Sequence, residues 1–394
     1  MVAQATIRKY YLLLILQRAG VGMTAAVYAT FLLSNGLNLL EINLVNMIFF
    51  TTLFICEIPT GAFADVFGRK MSFVTSCVIF TTSFMVYASS SSFWEFALAE
   101  VLAAIAYTFM SGAFDAWLVD KLRHHGDERA LAPVFARGAQ LGAGAGLLAA
   151  LAGAMLFDIS NSLPYLVGGA FFAVAGVTAF LTMKEEYFVR ESFSIAKGVT
   201  AFKNTVRASI QYGLRNPNVR FIMLLVLALN FCTMAPNMQW QPFFREWLPN
   251  QTSLGFLWTT MALSLMLGAW LAPKLLRGVA SERRALLLCQ AGAAVGIVGT
   301  VAFGVFPPAV ALFLAHEVAR GVFGPIKTAY LHDNIPSKER ATIVSFESVS
   351  HHIGGAAGLL MSGLIAHYAS IPWAWTVSGG VLLLVVMLLW KSGK

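Results

Sequence analysis

Residues 43–89 read NLVNMIFFTTLFICEIPTGAFADVFGRKMSFVTSCVIFTTSFMVYAS. Two apolar runs, 43–62 and 71–89, flank a short polar segment that ends in Gly68-Arg69-Lys70. A helix needs about 20 mostly apolar residues to cross the hydrocarbon core of a bilayer, and both runs meet that length. The stretch therefore predicts two transmembrane helices joined by a short basic turn.

The same pattern continues along the whole chain. Of the 394 residues, 58% are hydrophobic and 12% are charged, whereas soluble domains carry charge on about a quarter of their residues. We predict an all-α membrane protein with twelve transmembrane helices in two pseudo-symmetric bundles of six, the fold class expected of such a pattern. The predicted spans are 11–33, 43–62, 71–89, 93–118, 133–156, 163–183, 220–243, 253–273, 284–305, 308–331, 342–365 and 371–390.

The basic residues are concentrated on one predicted side of the membrane. If the N-terminus is cytoplasmic, 22 of the 27 Lys and Arg residues fall in the termini and the even-numbered connections, counting Arg220 and Arg284 at the span ends with those connections. Only Arg245 falls in an odd-numbered connection. Because cytoplasmic loops carry the excess of Lys and Arg, we expect a multi-pass protein of the cell (inner) membrane with both termini in the cytoplasm.

The two halves of the chain share a sequence repeat. Asp127-Glu-Arg-Ala130 precedes a predicted helix that contains Gly146-Leu-Leu148, and Lys338-Glu-Arg-Ala341 precedes one that contains Gly358-Leu-Leu360. Parallel repeats about an axis along the membrane normal are a known transporter plan. The expected domains are an N-terminal six-helix bundle, a cytoplasmic linker and a C-terminal six-helix bundle, at 1–183, 184–219 and 220–394.

The segment Gly61-Ala-Phe-Ala-Asp65-Val-Phe-Gly68-Arg69-Lys70 resembles the signature loop of the major facilitator superfamily, which joins the second and third helices. The resemblance implies a secondary transporter that works by alternating access. It also implies a charge network that latches the outward-facing state, whereas positive-inside topology alone accounts only for the two basic residues. The residues of this expected latch are Gly61, Asp65, Gly68, Arg69, Lys70 and Asp120.

Two features depart from relatives that exchange drugs for protons. The fifth helix has five glycines but lacks the proline of their glycine-rich motif, and these glycines also permit close helix packing. About twenty positions before Asp120, where the family often has a basic residue, this chain has Glu100. The five glycines are Gly138, Gly142, Gly144, Gly146 and Gly153.

Ionisable groups inside the spans are functional candidates because burying a charge in a membrane is costly. Asp115 and Lys327 are related by an offset of 212 residues, so the repeat axis would place them opposite one another. We predict a salt bridge between the halves that closes an inner gate; the alternative is that each pairs within its own half.

Further candidates would bind the substrate or protons. Glu100 either pairs with Arg18 or is a protonatable site, and Glu317 and Arg320 are three residues apart, as in a local helix pair. Glu347, His351 and Glu57 form either a titratable cluster or buried structural pairs. Amide and aromatic groups of the seventh helix either suit an amphiphilic solute or serve ordinary packing. The candidates are Arg18, Glu57, Glu100, Arg137, Asn230, Asn237, Trp240, Glu317, Arg320, Glu347 and His351.

The sequence does not indicate an enzyme. His316-Glu-Val-Ala-Arg320 lacks the final histidine of the zinc motif HExxH, and the chain has no Walker loop. We expect no cofactor, no metal and no nucleic-acid partner. The predicted protein is a monomer whose partners are the lipid bilayer, protons and a small-molecule substrate. Its predicted function is proton-coupled efflux, by antiport, of a small lipophilic or amphiphilic compound. The alternative is an uptake permease for a small polar or anionic metabolite, with Arg18, Arg320 or Lys327 at the anionic group.

Overall fold

A computed structural model describes residues 2–127, 130–186, 188, 216–279, 281–334 and 340–392. Within these ranges the chain forms helices and turns and no strand. Ten of the described helices are long and apolar enough to cross a membrane, and a bent pair of helices supplies an eleventh span. The predicted all-α membrane fold is therefore confirmed.

Each of the twelve predicted spans corresponds to helix in the structure, and we number the spans in chain order. Span 1 is the bent pair Val2–Ala25 and Tyr28–Ser34, with an angle of 48° between its parts. Span 4 consists of Phe93–Ser111 and Ala113–His124. The other ten are Leu39–Phe67, Arg69–Ser89, Ala132–Ile159, Leu163–Thr182, Pro217–Phe244, Gln251–Gly278, Glu282–Ala302, Phe306–Asn334, Arg340–Tyr368 and Ile371–Lys391.

Several helices extend beyond their apolar runs. Span 2 continues to Phe67, and span 3 begins at Arg69. Between them Gly68 adopts φ 92° and ψ 158°, a conformation that is essentially confined to glycine. The backbone at Gly68 therefore sets this boundary, whereas the apolar pattern had placed the two ends at 62 and 71.

The helices group into two compact units. Unit 1 comprises Met1–Leu37, Ile48–Ala201 and Leu248–Phe256. Unit 2 comprises Asn38–Met47, Phe202–Trp247 and Leu257–Lys394. Most of the predicted linker 184–219 lies outside the described residues, as do parts of both repeat segments around 127–130 and 338–341.

An apolar core fills each unit. In unit 1, Leu13, Phe73 and Trp117 are almost completely buried in one cluster. In unit 2, Ile222 and Leu286 belong to a corresponding cluster. Because lipid tails are as apolar as these side chains, close packing rather than hydrophobic burial holds the helices together.

Glycines allow the closest helix contacts in both units. In unit 1, a Cβ on Gly153 of span 5 would lie 1.9 Å from the carbonyl oxygen of Met23 in span 1. In unit 2, a Cβ on Gly358 of span 11 would lie 2.2 Å from the carbonyl oxygen of Phe231 in span 7. The fifth and eleventh spans thus both use a glycine where a neighbouring helix approaches closely, although the sequence repeat does not align these two glycines. This observation supports the packing interpretation of the glycines in span 5.

We expect Gly153→Ala to destabilise the protein by about 1–3 kcal/mol, because overpacking a tight contact forces the backbone apart. Gly144→Ala is the matched control on the same helix, since a Cβ there meets no atom within 4 Å. Thermal unfolding in detergent should show a lower midpoint for Gly153→Ala alone. Equal midpoints in the two variants would contradict this packing.

Candidate functional site

The signature loop forms a polar network within unit 1. The backbone N–H of Arg69 donates to Oε1 of Glu185 at 2.8 Å. The guanidinium Nε of Arg69 lies 3.6 Å from Oδ2 of Asp120. A Cβ on Gly68 would lie 2.5 Å from the other carboxylate oxygen of Glu185. The structure therefore brings together two of the expected latch residues, Arg69 and Asp120, and adds Glu185 to them.

The remaining latch residues, Gly61, Asp65 and Lys70, lie in the same segment of the chain as Arg69. Asp65 is half-buried, three positions before Gly68, and Lys70 places its ammonium 5.0 Å from the centre of the Phe180 ring. Gly61 is exposed, with open space around it. Their participation in a conformational latch stays a prediction.

Glu185 was missed by the sequence reasoning, which placed it in the linker. Burial raises the pKa of its carboxyl group, while the N–H groups of Lys70 and Arg69 and the charge of Arg69 oppose that shift. Its carboxylate stabilises the first turn of span 3, where backbone N–H groups lack helical partners. The available signal was an acidic residue directly after an apolar run.

Asp115 and Lys327 each have a partner within their own unit. The hydroxyl of Tyr10 donates to Oδ1 of Asp115 at 2.8 Å. Lys327 forms an ion pair with Glu347, one helical turn before His351. The alternative of pairing within each half is therefore observed, and the salt bridge between the halves stays a prediction.

Glu100 is one of two nearly inaccessible carboxylates in the spans of the described chain. Its residue is 4% exposed, and the hydroxyl of Tyr28 donates to its Oε1. Arg18 is exposed on span 1. The hydrogen bond described for the Glu100 carboxylate therefore comes from Tyr28 and not from Arg18, and a protonatable site at Glu100 stays a prediction.

Glu317, in unit 2, is the second nearly inaccessible carboxylate in the spans of the described chain. The residue is 3% exposed, and Arg320 Nη1 donates to its two oxygens at 2.9 and 3.2 Å. The same nitrogen donates to Oδ1 of Asn237 on span 7 at 3.0 Å. The neighbouring His316 is fully buried, with Nδ1 3.7 Å from the Glu317 carboxylate. The structure thus joins three candidates from spans 7 and 10 and adds His316.

Four candidates are not joined to these clusters by the described contacts. Glu57 is exposed on span 2, and Arg137 is exposed and donates to Gln140 at 3.3 Å. The amide of Asn230 donates to the Val226 carbonyl of its own helix at 2.8 Å. Trp240 is buried in unit 2. The amide of Asn230 is therefore bonded within its own helix, and a substrate-binding role for Asn230 and Trp240 stays a prediction.

Known proteins match this chain over almost its whole length. The sequence matches the family model described as Major Facilitator Superfamily over residues 10–280 and 278–393. It is 22% identical over 390 residues to the "Uncharacterized MFS-type transporter YxaM" of Bacillus subtilis (strain 168), a match that covers 96% of this chain and 92% of the relative.

Solved structures with similar folds include three transporters of different solutes. The nucleoside transporter NupG has a TM-score of 0.78 at 14% identity, covering 99% of both chains. A bacterial homologue of the iron transporter ferroportin in the inward-facing state also has a TM-score of 0.78 at 14% identity, covering 98% of both chains. An auto inhibited POT family peptide transporter has a TM-score of 0.76 at 13% identity, covering 99% of this chain and 96% of that one. At these identities the similarity shows the fold alone.

We expect Gly68→Ala to lower stability by about 1–3 kcal/mol, because its backbone conformation excludes a side chain and the new Cβ would meet Glu185. Gly61→Ala is the matched control, since it lies in the same segment inside a helix with free space. The unfolding midpoint in detergent should fall only for Gly68→Ala. A midpoint as high as that of the control would contradict this role.

We expect Arg320→Gln to destabilise unit 2 by about 1–3 kcal/mol, because it removes hydrogen bonds from the buried Glu317 carboxylate. Arg137→Gln, at an exposed arginine with one described hydrogen bond, is the control. Adding Glu317→Gln to Arg320→Gln should restore part of the lost midpoint in thermal unfolding. No recovery in the double variant would argue against coupling between the two residues.

Proposed function

Because the chain belongs to the Major Facilitator Superfamily, we propose that it is a proton-coupled exporter of small lipophilic or amphiphilic compounds that works by alternating access. The family consists of membrane transporters rather than enzymes, and this chain is a multi-pass membrane transporter of a small molecule. Proton coupling, direction and substrate class are the parts that the proposal adds.

The burial of Glu100 and Glu317 carries the proposal of proton coupling. Both carboxylates lie within spans and are less than 5% exposed. An ionised carboxylate at membrane depth costs about 2.5–3.5 kcal/mol on insertion scales, and binding a proton removes the charge. A transporter that retains such groups in both units has sites whose proton occupancy can change with conformation.

The polar groups of span 7 support an amphiphilic substrate. Asn237 is half-buried and lies on the same helix as the buried Met234 and Trp240. An amide beside a thioether and an aromatic ring suits a molecule with one polar and one apolar part. The distribution of basic residues supports an inner-membrane location with both termini in the cytoplasm, and we propose a monomer.

The exposure of Arg320 favours a second candidate, an uptake permease for an anionic metabolite. Its side chain remains 22% exposed although Nη1 is bonded to Glu317 and Asn237. Planar guanidinium groups bind carboxylates and phosphates well. Lys327 and Arg18 would be further cationic positions for such a solute.

Transport by purified protein in liposomes tests these functions. Ethidium serves as the amphiphilic probe, because its permanent charge prevents accumulation by pH partition alone, and succinate serves as the anionic probe. We expect an acidic liposome interior to drive ethidium uptake in exchange for protons that leave the liposome. A protonophore should abolish this uptake. Protein-free liposomes are the control.

Two outcomes would contradict the exporter. If neither the pH gradient nor the protonophore changes the uptake of ethidium, proton coupling is ruled out. Uptake of succinate driven by an acidic exterior, without movement of ethidium, would replace the exporter by the anion permease.

A further inference from the structure

A cage of tyrosines encloses the buried carboxylate of span 4. Tyr28 comes from span 1, Tyr87 from the end of span 3 and Tyr165 from the start of span 6. The rings of Tyr87 and Tyr165 stack with centroids 5.0 Å apart. Glu100 is thus surrounded within unit 1 by phenol groups from three separate spans.

The cage can satisfy both protonation states of the carboxyl group. Tyr28 donates a hydrogen bond to Glu100 Oε1. The hydroxyls of Tyr87 and Tyr165 are also buried: that of Tyr87 lies within hydrogen-bonding reach of Glu100, and that of Tyr165, which has no hydrogen-bond partner in the described chain, interacts electrostatically with Glu100. A phenol hydroxyl can donate to a carboxylate and accept from a carboxylic acid. The site therefore suits a group that gains and loses a proton.

The ligand that fits this cage is a proton rather than a metal cation. The groups that face Glu100 in the described chain are the three tyrosines. Hard cations such as Ca²⁺ require six to eight oxygen ligands, usually including several carboxylates. One carboxylate among neutral phenols does not provide that set.

The cage is connected to the break in span 1. Tyr28 is the first residue of the helix that follows the 48° bend. At the same break, the Ala26 carbonyl accepts a hydrogen bond from the side-chain amide of Gln251 at 2.6 Å. The backbone N–H of Gln251 donates to Asp158 Oδ1 at 2.8 Å. These residues all belong to unit 1, so contacts link Glu100 through the bend to the first turn of span 8.

We propose that Glu100 binds the coupling proton and that Tyr28 transmits its protonation state to the break in span 1. A carboxylate accepts a stronger hydrogen bond than a neutral carboxylic acid does. Proton binding therefore loosens the attachment of Tyr28 to span 4, and release of the proton restores it. The inference rests on the proposed proton coupling and assigns it to one residue.

Infrared difference spectra between low and high pH test proton binding without any substrate. The full-length protein in lipid should show the carbonyl band of a protonated carboxylic acid that titrates with pH. Glu100→Gln should lose the part of that band that comes from a carboxyl group shielded from water, while Glu95→Gln, which changes an exposed glutamate on the same helix, should keep that part. A titrating band of unchanged intensity in Glu100→Gln would overturn the assignment.

Hydrogen–deuterium exchange of residues 24–34 tests transmission to the break. After correction for intrinsic exchange rates, we expect exchange at least threefold faster at low pH in the wild type and in Glu95→Gln. This pH response should disappear in Glu100→Gln and in Tyr28→Phe, which keeps the carboxyl group but removes its hydrogen bond. An unchanged response in Tyr28→Phe would overturn the role of Tyr28, and this variant remains informative if Glu100→Gln fails to fold.

Transport in liposomes separates this inference from the proposed function. Glu100→Gln should lower the ethidium accumulation driven by a pH gradient at least tenfold, whereas Glu95→Gln should leave it unchanged. Equal gradient-driven accumulation in the wild type and Glu100→Gln would overturn the inference alone. If a pH gradient does not change ethidium accumulation by the wild type, proton coupling itself is overturned, whatever the infrared spectra show.

Discussion

Lipid provides no hydrogen-bond partner and no counter-charge, and this constraint governs the two buried carboxylates in the described spans. Glu317 is therefore bonded by Arg320, which also binds Asn237 of another span. Glu100 is bonded by Tyr28 rather than by a cation. The Glu317 carboxylate is held by a charged guanidinium group, whereas the Glu100 carboxylate is held by neutral hydroxyls. Only Glu100 can lose its charge without leaving an unpaired cation beside it.

The same solvent explains why the helices pack through glycines. Helix association in a membrane depends on close backbone approach, because apolar side chains gain little by leaving lipid. Gly153 lies against the Met23 carbonyl in unit 1, and Gly358 lies against the Phe231 carbonyl in unit 2. Packing therefore explains Gly153 of the fifth span without an antiport motif, whereas a side chain at Gly144 would meet open space. The buried ionisable groups, rather than these glycines, support the proposed function.

The signature loop combines a backbone requirement with an electrostatic one. Gly68 adopts a conformation closed to other residues, and Glu185 occupies the space that a side chain on Gly68 would fill. The carboxylate bonds the Arg69 N–H, while the Arg69 side chain reaches Asp120. The end of span 6, the end of span 4 and the start of span 3 are thereby joined on one side of unit 1.

The sequence by itself predicted the twelve spans and showed the repeat, because apolar length and basic-residue bias are local patterns. The resemblance of the signature loop implied a charge network that includes Arg69 and Asp120, and the structure shows their contact. The sequence also identified Glu100, Glu317 and Arg320, since charges stand out within apolar runs. Only the tertiary structure decided their partners: Glu100 meets Tyr28 and Lys327 meets Glu347. Tyrosines and linker carboxylates such as Glu185 are unremarkable in the sequence. Their roles arise from helix packing, which brings together residues far apart in the chain.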